Sequence, residues 1–160
     1  MPSDYVKDLV DHKVRVAAYM QSIANDLFRR AMIHDNSKFS EEEYHLYEAA
    51  CPELQKHAYG SPEYKEAVKQ LGPAWEHHCK VNDHHPEFHR EDGVSAMTLV
   101  QLIEMLCDWL AASERSQTNF EAGLKMNKER FHIDDQLFEI IVNTVKWYAP
   151  VKFLGTDPLF

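Results

Sequence analysis

Stretch after stretch of this chain spaces its apolar residues three and four apart, and nowhere do they alternate for long enough to build a sheet. Only five glycines and seven prolines leave too few turns for a β-sandwich. Ser3 can cap a helix from Asp4, and Leu9, Val10, Val14, Ala17, Ile23, Ala24, Leu27 and Phe28 carry the helical period to about Ile33. Residues 23–25 offer a point at which that stretch could divide. HDNSKF (34–39) reads as a polar corner, and Ser40 with Glu43 as a capping box for a helix ending near Cys51. A loop over 52–61 follows. Ser61-Pro62 opens a short helix over about 62–70, and Gly72-Pro73 opens another that must stop before Pro86. After a polar loop at 86–94, Ser95 caps a helix from about Ala96 to Arg115. Helices near 118–130 and 134–149 complete the set, with Pro150 as the stop. The expectation is an all-α chain of about seven helices, one domain over 1–150 with an extended tail at 151–160.

Apolar residues at 44% and charged residues at 27% are those of an ordinary globular protein, and 160 residues can bury a core. A formal charge of −9 without a long basic run argues against gripping a nucleic-acid backbone, though a local cation or metal still admits a small anion. Cys51, Cys79 and Cys107 form no CxxC pair and read as reduced thiols. With no signal-like start and no apolar run near the ~18 residues a bilayer requires, the expected compartment is the cytoplasm, without membrane association.

Two features carry chemistry. On the helix at 96–115, Leu99, Leu102, Ile103, Leu106 and Leu110 make a broad apolar face that Met97, Met105, Cys107 and Trp109 widen. Gln101, Glu104 and Asp108, with Ala111 and Ala112, form the remaining stripe. Either this is a central helix whose Asp108 needs a cation, a donor cluster or a metal, or the stripe faces solvent. The second feature is histidine. There are ten, and WEHHCKVNDHHPEFH holds His77, His78, His84, His85 and His89 within thirteen positions. Packing gives no reason to collect imidazoles, whereas imidazole and carboxylate together suit Zn, Mn, Fe, Co or Ni. His12 sits among apolar neighbours in the first helix, and His34-Asp35 at its end. His45, His57 and His132 lack such company and read as surface residues.

His12, His34-Asp35 and Asp108 on a later helix resemble the H…HD…D signature of the HD-domain metal-dependent phosphohydrolases. HDNSKF is similar to the HD-x-G-K form of that motif, with Ser37 in place of the glycine. HDNSKF, NDHHPEF and LIEMLCDW together resemble an uncharacterised HD-like family of phage and bacterial proteins over roughly residues 8–115. The resemblance implies a compact HD-like bundle in which His12, His34, Asp35 and Asp108 converge on a metal. It also implies that Lys38 faces a substrate phosphate, where many HD nucleotidases carry a glutamate. Two-metal members add two histidines; one of His77/His78 and one of His84/His85 are the candidates. The implied activity is hydrolysis of a phosphate ester or anhydride of a small molecule, a nucleotide foremost, with Asp35 and Lys38 as catalytic residues. One or two divalent ions (Mn, Co, Ni, Zn, Fe or Mg) would lower the pKa of a bound water from 15.7 toward ~7 and polarise a phosphoryl oxygen. The alternatives are a di-iron oxygenase of the same fold and a binding protein without turnover. A homo-oligomer is compatible with all three.

Overall fold

The computed structural model describes residues 3–57, 60–116 and 119–148, and among these it is all-α, with no strand. Seven α-helices and two 3-10 segments follow one another: α1 (Asp4–Ile33), a 3-10 turn (Asn36–Phe39), α2 (Tyr44–Leu54), α3 (Pro62–Leu71), α4 (Pro73–Val81), a 3-10 segment (Pro86–Ala96), α5 (Leu99–Ser116), α6 (Phe120–Arg130) and α7 (Asp135–Tyr148). None of the described helices is long and apolar enough to cross a membrane. The chain divides into two compact units, one ending at His34 and the other beginning at Asp35.

The first unit is α1. Ser3 caps it, its hydroxyl accepting from the Val6 N–H at 3.4 Å. The stretch does not divide at 23–25. With no glycine or proline within it, the helix crosses that point, and Gln21 donates to Asn25 one turn on at 2.8 Å. Asp26 then pairs with Arg29 at 2.7 Å and Arg30 at 3.2 Å.

In the second unit, α5, α6 and α7 close a core of Leu106, Phe120, Leu124, Ile133, Ile141 and Val145, with Val94 of the 3-10 segment packed in. Trp109 stacks on Phe131 at 5.9 Å. The helix starts follow local chemistry. Ser61 accepts from Tyr64 N–H at 3.1 Å ahead of Pro62, and Asn119 from Ala122 N–H at 2.9 Å. Gly72, at φ 38°, ends α3 and lets Pro73 start α4 at once.

Several boundaries differ from expectation. Ser95 does not cap α5; it lies inside the 3-10 segment that replaces the expected loop at 86–94. Thr98 takes that role in a reciprocal box. Its hydroxyl accepts from Gln101 N–H at 3.3 Å, and the Gln101 amide oxygen accepts from Thr98 N–H at 2.7 Å. Helix α2 starts at Tyr44 and runs through Pro52 to Leu54, past the expected end at Cys51. The Ser40–Glu43 box is absent because the Glu43 side chain turns inward. The tail at 151–160 lies outside the described residues. Thr98→Ala should lower stability by about 1 kcal/mol, and Ser95→Ala by a few tenths at most. Urea unfolding of the two variants checks this.

Candidate metal centre

The site grows from the corner after α1. Asp35 has a left-handed backbone (φ 56°, ψ 18°), a conformation that aspartate tolerates better than most residues and that recurs at functional sites. The turn is closed by Lys38 N–H to Asp35 C=O at 2.9 Å and Ser40 N–H to Ser37 C=O at 2.9 Å. The Lys38 ammonium meets Asp35 Oδ2 at 2.5 Å, while Oδ1 faces the imidazoles.

Helix α4 and the turn after it bring those imidazoles in. His78 lies on α4 and is fully buried. Asn82 ends the helix, donating from its side chain to the His78 carbonyl at 2.9 Å, and His85 N–H closes a turn on Asn82 C=O at 3.2 Å. Between them, Asp83 accepts from Gln101 Nε2 at 2.7 Å, tying the turn to α5, and its carbonyl lies 2.9 Å from His89 Nε2. His84 and His85 are thereby held from both sides.

One ligand atom each from Asp35, His78, His84 and His85 lies within 4.8 Å of the others. His78 Nε2 is 2.9 Å from His85 Nε2 and 3.3 Å from Asp35 Oδ1, and His84 Nε2 is 3.4 Å from the same oxygen. An ion about 2.05 Å from each ligand would set neighbouring ligands about 2.9 Å apart in an octahedron and about 3.3 Å in a tetrahedron. These three separations fall in that range, and three imidazoles with one carboxylate are a donor set for a transition ion or zinc. A second group, Cys79, His85 and Glu87, also has ligand atoms within 4.8 Å. It is the poorer donor set, because burial, then Glu87, pushes the Cys79 thiol up to about 12 and keeps it protonated.

The most consequential neighbour is Glu43. Its carboxylate is wholly buried and accepts from His77 Nδ1 at 2.7 Å and His78 Nδ1 at 2.9 Å. With its Nδ1 proton committed, His78 turns the Nε2 lone pair toward the cluster, the carboxylate–histidine arrangement that orients metal ligands. Ser37 Oγ and Asn82 Nδ2 stand 3.1 Å from the same Nδ1, and Asn82 donates to Ser37 at 2.7 Å. On the far side, His84 Nδ1 faces Glu104 of α5 at 3.4 Å.

The electrostatics favour ligation. Burial would raise the Asp35 pKa, but the adjoining His78 and His84 and the Lys38 ammonium outweigh it and hold the carboxyl well below the usual range. Burial, then the adjoining His84 and His78, pushes His85 down to about 3 against the pull of Asp108 and Asp35. His85 is therefore a neutral imidazole at neutral pH, with a lone pair to give.

Of the residues singled out in the sequence, Asp35, His78, His84 and His85 come together, with Lys38 beside them. Asp108, half-buried on α5, reaches the cluster through its field on His85. The α5 stripe faces inward: Gln101 is buried, and Glu104 and Asp108 are half-buried. His12, exposed in the N-terminal third of α1, and His34, at its C-cap, belong to the first unit, and the four-residue cluster is drawn wholly from the second. His45 and His132 are surface residues as expected. His57 is half-buried, because Glu53 holds it at 3.1 Å. Glu43 escaped the sequence reading because SEEE fits a capping box. Its one distinguishing sign is a place one helical turn before the half-buried Tyr47.

A family model matches residues 1–147. The chain belongs to DUF5662, a family of unknown function. Neither the curated proteins nor the solved structures contain a match to it. The family match spans both units, so α1 is as much part of the DUF5662 pattern as the cluster.

Glu43→Gln should weaken metal binding by roughly 10–100-fold, read by competition with a chelating dye. The pH dependence of the metal-free protein tests His85. Its folded pKa lies below its unfolded value of about 6.5. The unfolded chain thus takes up a proton that the folded chain refuses as pH falls from 6.5 toward 3. Stability should drop over that window by about 1.4 kcal/mol per pH unit from this site. Denaturation at a series of pH values should show a shallower fall in His85→Gln.

Proposed function

We propose that this chain is a metal-dependent phosphohydrolase acting on a small phosphorylated molecule, with a nucleotide as the favoured substrate. The observation that carries the reading is the convergence of one ligand atom each from Asp35, His78, His84 and His85 within 4.8 Å of one another, with the Lys38 ammonium against the same carboxylate. The order of His12, His34-Asp35 and Asp108, similar to that of HD-domain phosphohydrolases, supports it from the sequence. A divalent ion bound there supplies Lewis acidity toward a phosphoryl oxygen and a water nucleophile at neutral pH.

The chain's own residues do the rest. Lys38 is partly exposed, lies 5.3 Å from the Tyr47 ring, and can exchange its contact with Asp35 for a phosphate oxygen. Glu43, Ser37 and Asn82 fix His78 on one side, and Glu104 faces His84 on the other. Preference for a small substrate over a nucleic acid follows from the net charge of −9 and the lack of a basic run.

The test is phosphate release from a panel of nucleoside mono-, di-, tri- and cyclic phosphates with Mn, Co, Ni or Mg supplied. Multiple turnovers on at least one substrate are expected. Tight binding without release would instead mean a non-catalytic metal or nucleotide binder, and oxygen consumption by the iron-loaded protein an oxygenase. Asp35→Ala should abolish both metal retention and turnover. Lys38→Ala should retain the metal and lose about 1.5–3 kcal/mol of transition-state stabilisation. Steady-state kinetics beside metal analysis of the same samples checks both variants.

A further inference from the structure

Helix α1 is thirty residues long and has no buried residue. It nevertheless carries a continuous apolar seam. Val6, Leu9, Val16, Met20, Ile23 and Leu27 fall at alternating three- and four-residue steps, interrupted once by Lys13. Leu9, Ile23 and Met20 of this seam are 45%, 52% and 65% exposed. Beside it, Ala17, Ala24 and Ala31 recur every seven residues in line with Val10. This is the pattern of a helix that packs along another helix, with a row of small side chains where the backbones come close. A seam of this size facing water is what an interaction surface looks like.

We infer that α1 pairs with α1 of a second copy of this chain, antiparallel, and that the protein is a dimer through this helix. Charge selects the orientation. Over residues 4–11, Asp4, Asp8 and Asp11 outweigh Lys7, whereas over residues 24–33 Asp26 is matched by Arg29 and Arg30. Parallel pairing would set the two acidic ends together, whereas antiparallel pairing sets each against the opposite end of the partner helix, in the sense the helix dipoles also favour. Register follows from the seam. Crossing at residue 18 places Leu9 opposite the partner's Leu27 and Val16 opposite the partner's Met20. Lys13 then meets the partner's Ile23, where its methylene stem covers the contact and its ammonium reaches water. On one flank His12 comes opposite the partner's Asp26. Every contact occurs twice by symmetry, as a two-fold interface requires. Thirty residues give a helix of about 45 Å. A seam of that length covers roughly 800 Å² per chain, the area of a standard stable interface.

Sedimentation velocity of the full chain at micromolar concentrations should show a dimer. Val16→Glu with Met20→Glu sets four carboxylates at the centre of the contact and should give a monomer. The environment of Trp75 and Trp109, read by near-ultraviolet circular dichroism, should not change. Orientation has its own readout, which holds even if that double variant fails to fold. Ala17→Cys, next to the two-fold axis, should form a disulfide-linked dimer on mild oxidation, and Val6→Cys, at the far end, should link no more than the parent does. A monomeric parent would overturn the inference; slow hydrogen exchange along α1 in that monomer would mean that the chain covers its own seam. A dimeric double-glutamate variant, or linkage through Val6→Cys and not Ala17→Cys, would overturn it equally.

Discussion

A single buried carboxylate organises the second unit. Glu43 has no solvent to share its charge, and an ionised group so placed is tolerated only when hydrogen bonds and opposite charge surround it. His77 and His78 meet that need, both through Nδ1. The arrangement ties the start of α2 to α4 and sets which nitrogen of His78 looks into the cluster. What holds two helices together is thus also what readies a ligand.

The same economy recurs across the site. Asn82 ends α4, braces Ser37 and lies against His78 Nδ1. Asp83 accepts from Gln101, whose own side chain completes the N-terminal box of α5 with Thr98. The turn bearing His84 and His85 is therefore fixed by groups that also begin and end helices. Pre-set side chains are what a metal centre requires, since ligands displaced by half an ångström bind far less well.

The helical class was legible because periodicity and caps agree over most of the chain. Ser3, Ser61-Pro62, Gly72-Pro73 and the stop before Pro86 all act as their residue types suggest. Failures came where a local signal had a tertiary competitor. Ser40 and Glu43 have the spacing of a capping box, but burial against two imidazoles outweighs a cap worth about 1 kcal/mol. Ser95 lost α5 to Thr98 because only Thr98 stands three residues before a glutamine that reaches back. In the site, the histidine cluster and the His34-Asp35 corner were visible as composition and order. The choice of His78 over His77 as the ligand-facing residue was not, because it depends on which face of α4 is buried against Asp35, forty-three positions away.

The proposed role of Asp35, His78, His84 and His85 is to hold a divalent ion. Its most direct test is the stoichiometry of metal retained by the purified full chain after dialysis, measured by elemental analysis beside Asp35→Ala and His78→Ala. The geometry predicts a transition ion or zinc in at least one-to-one ratio with the parent chain, and none retained by either variant while both keep their helical content. A parent chain that retains no ion after loading with Mn, Fe, Co, Ni or Zn, or variants that retain as much as the parent, would contradict it.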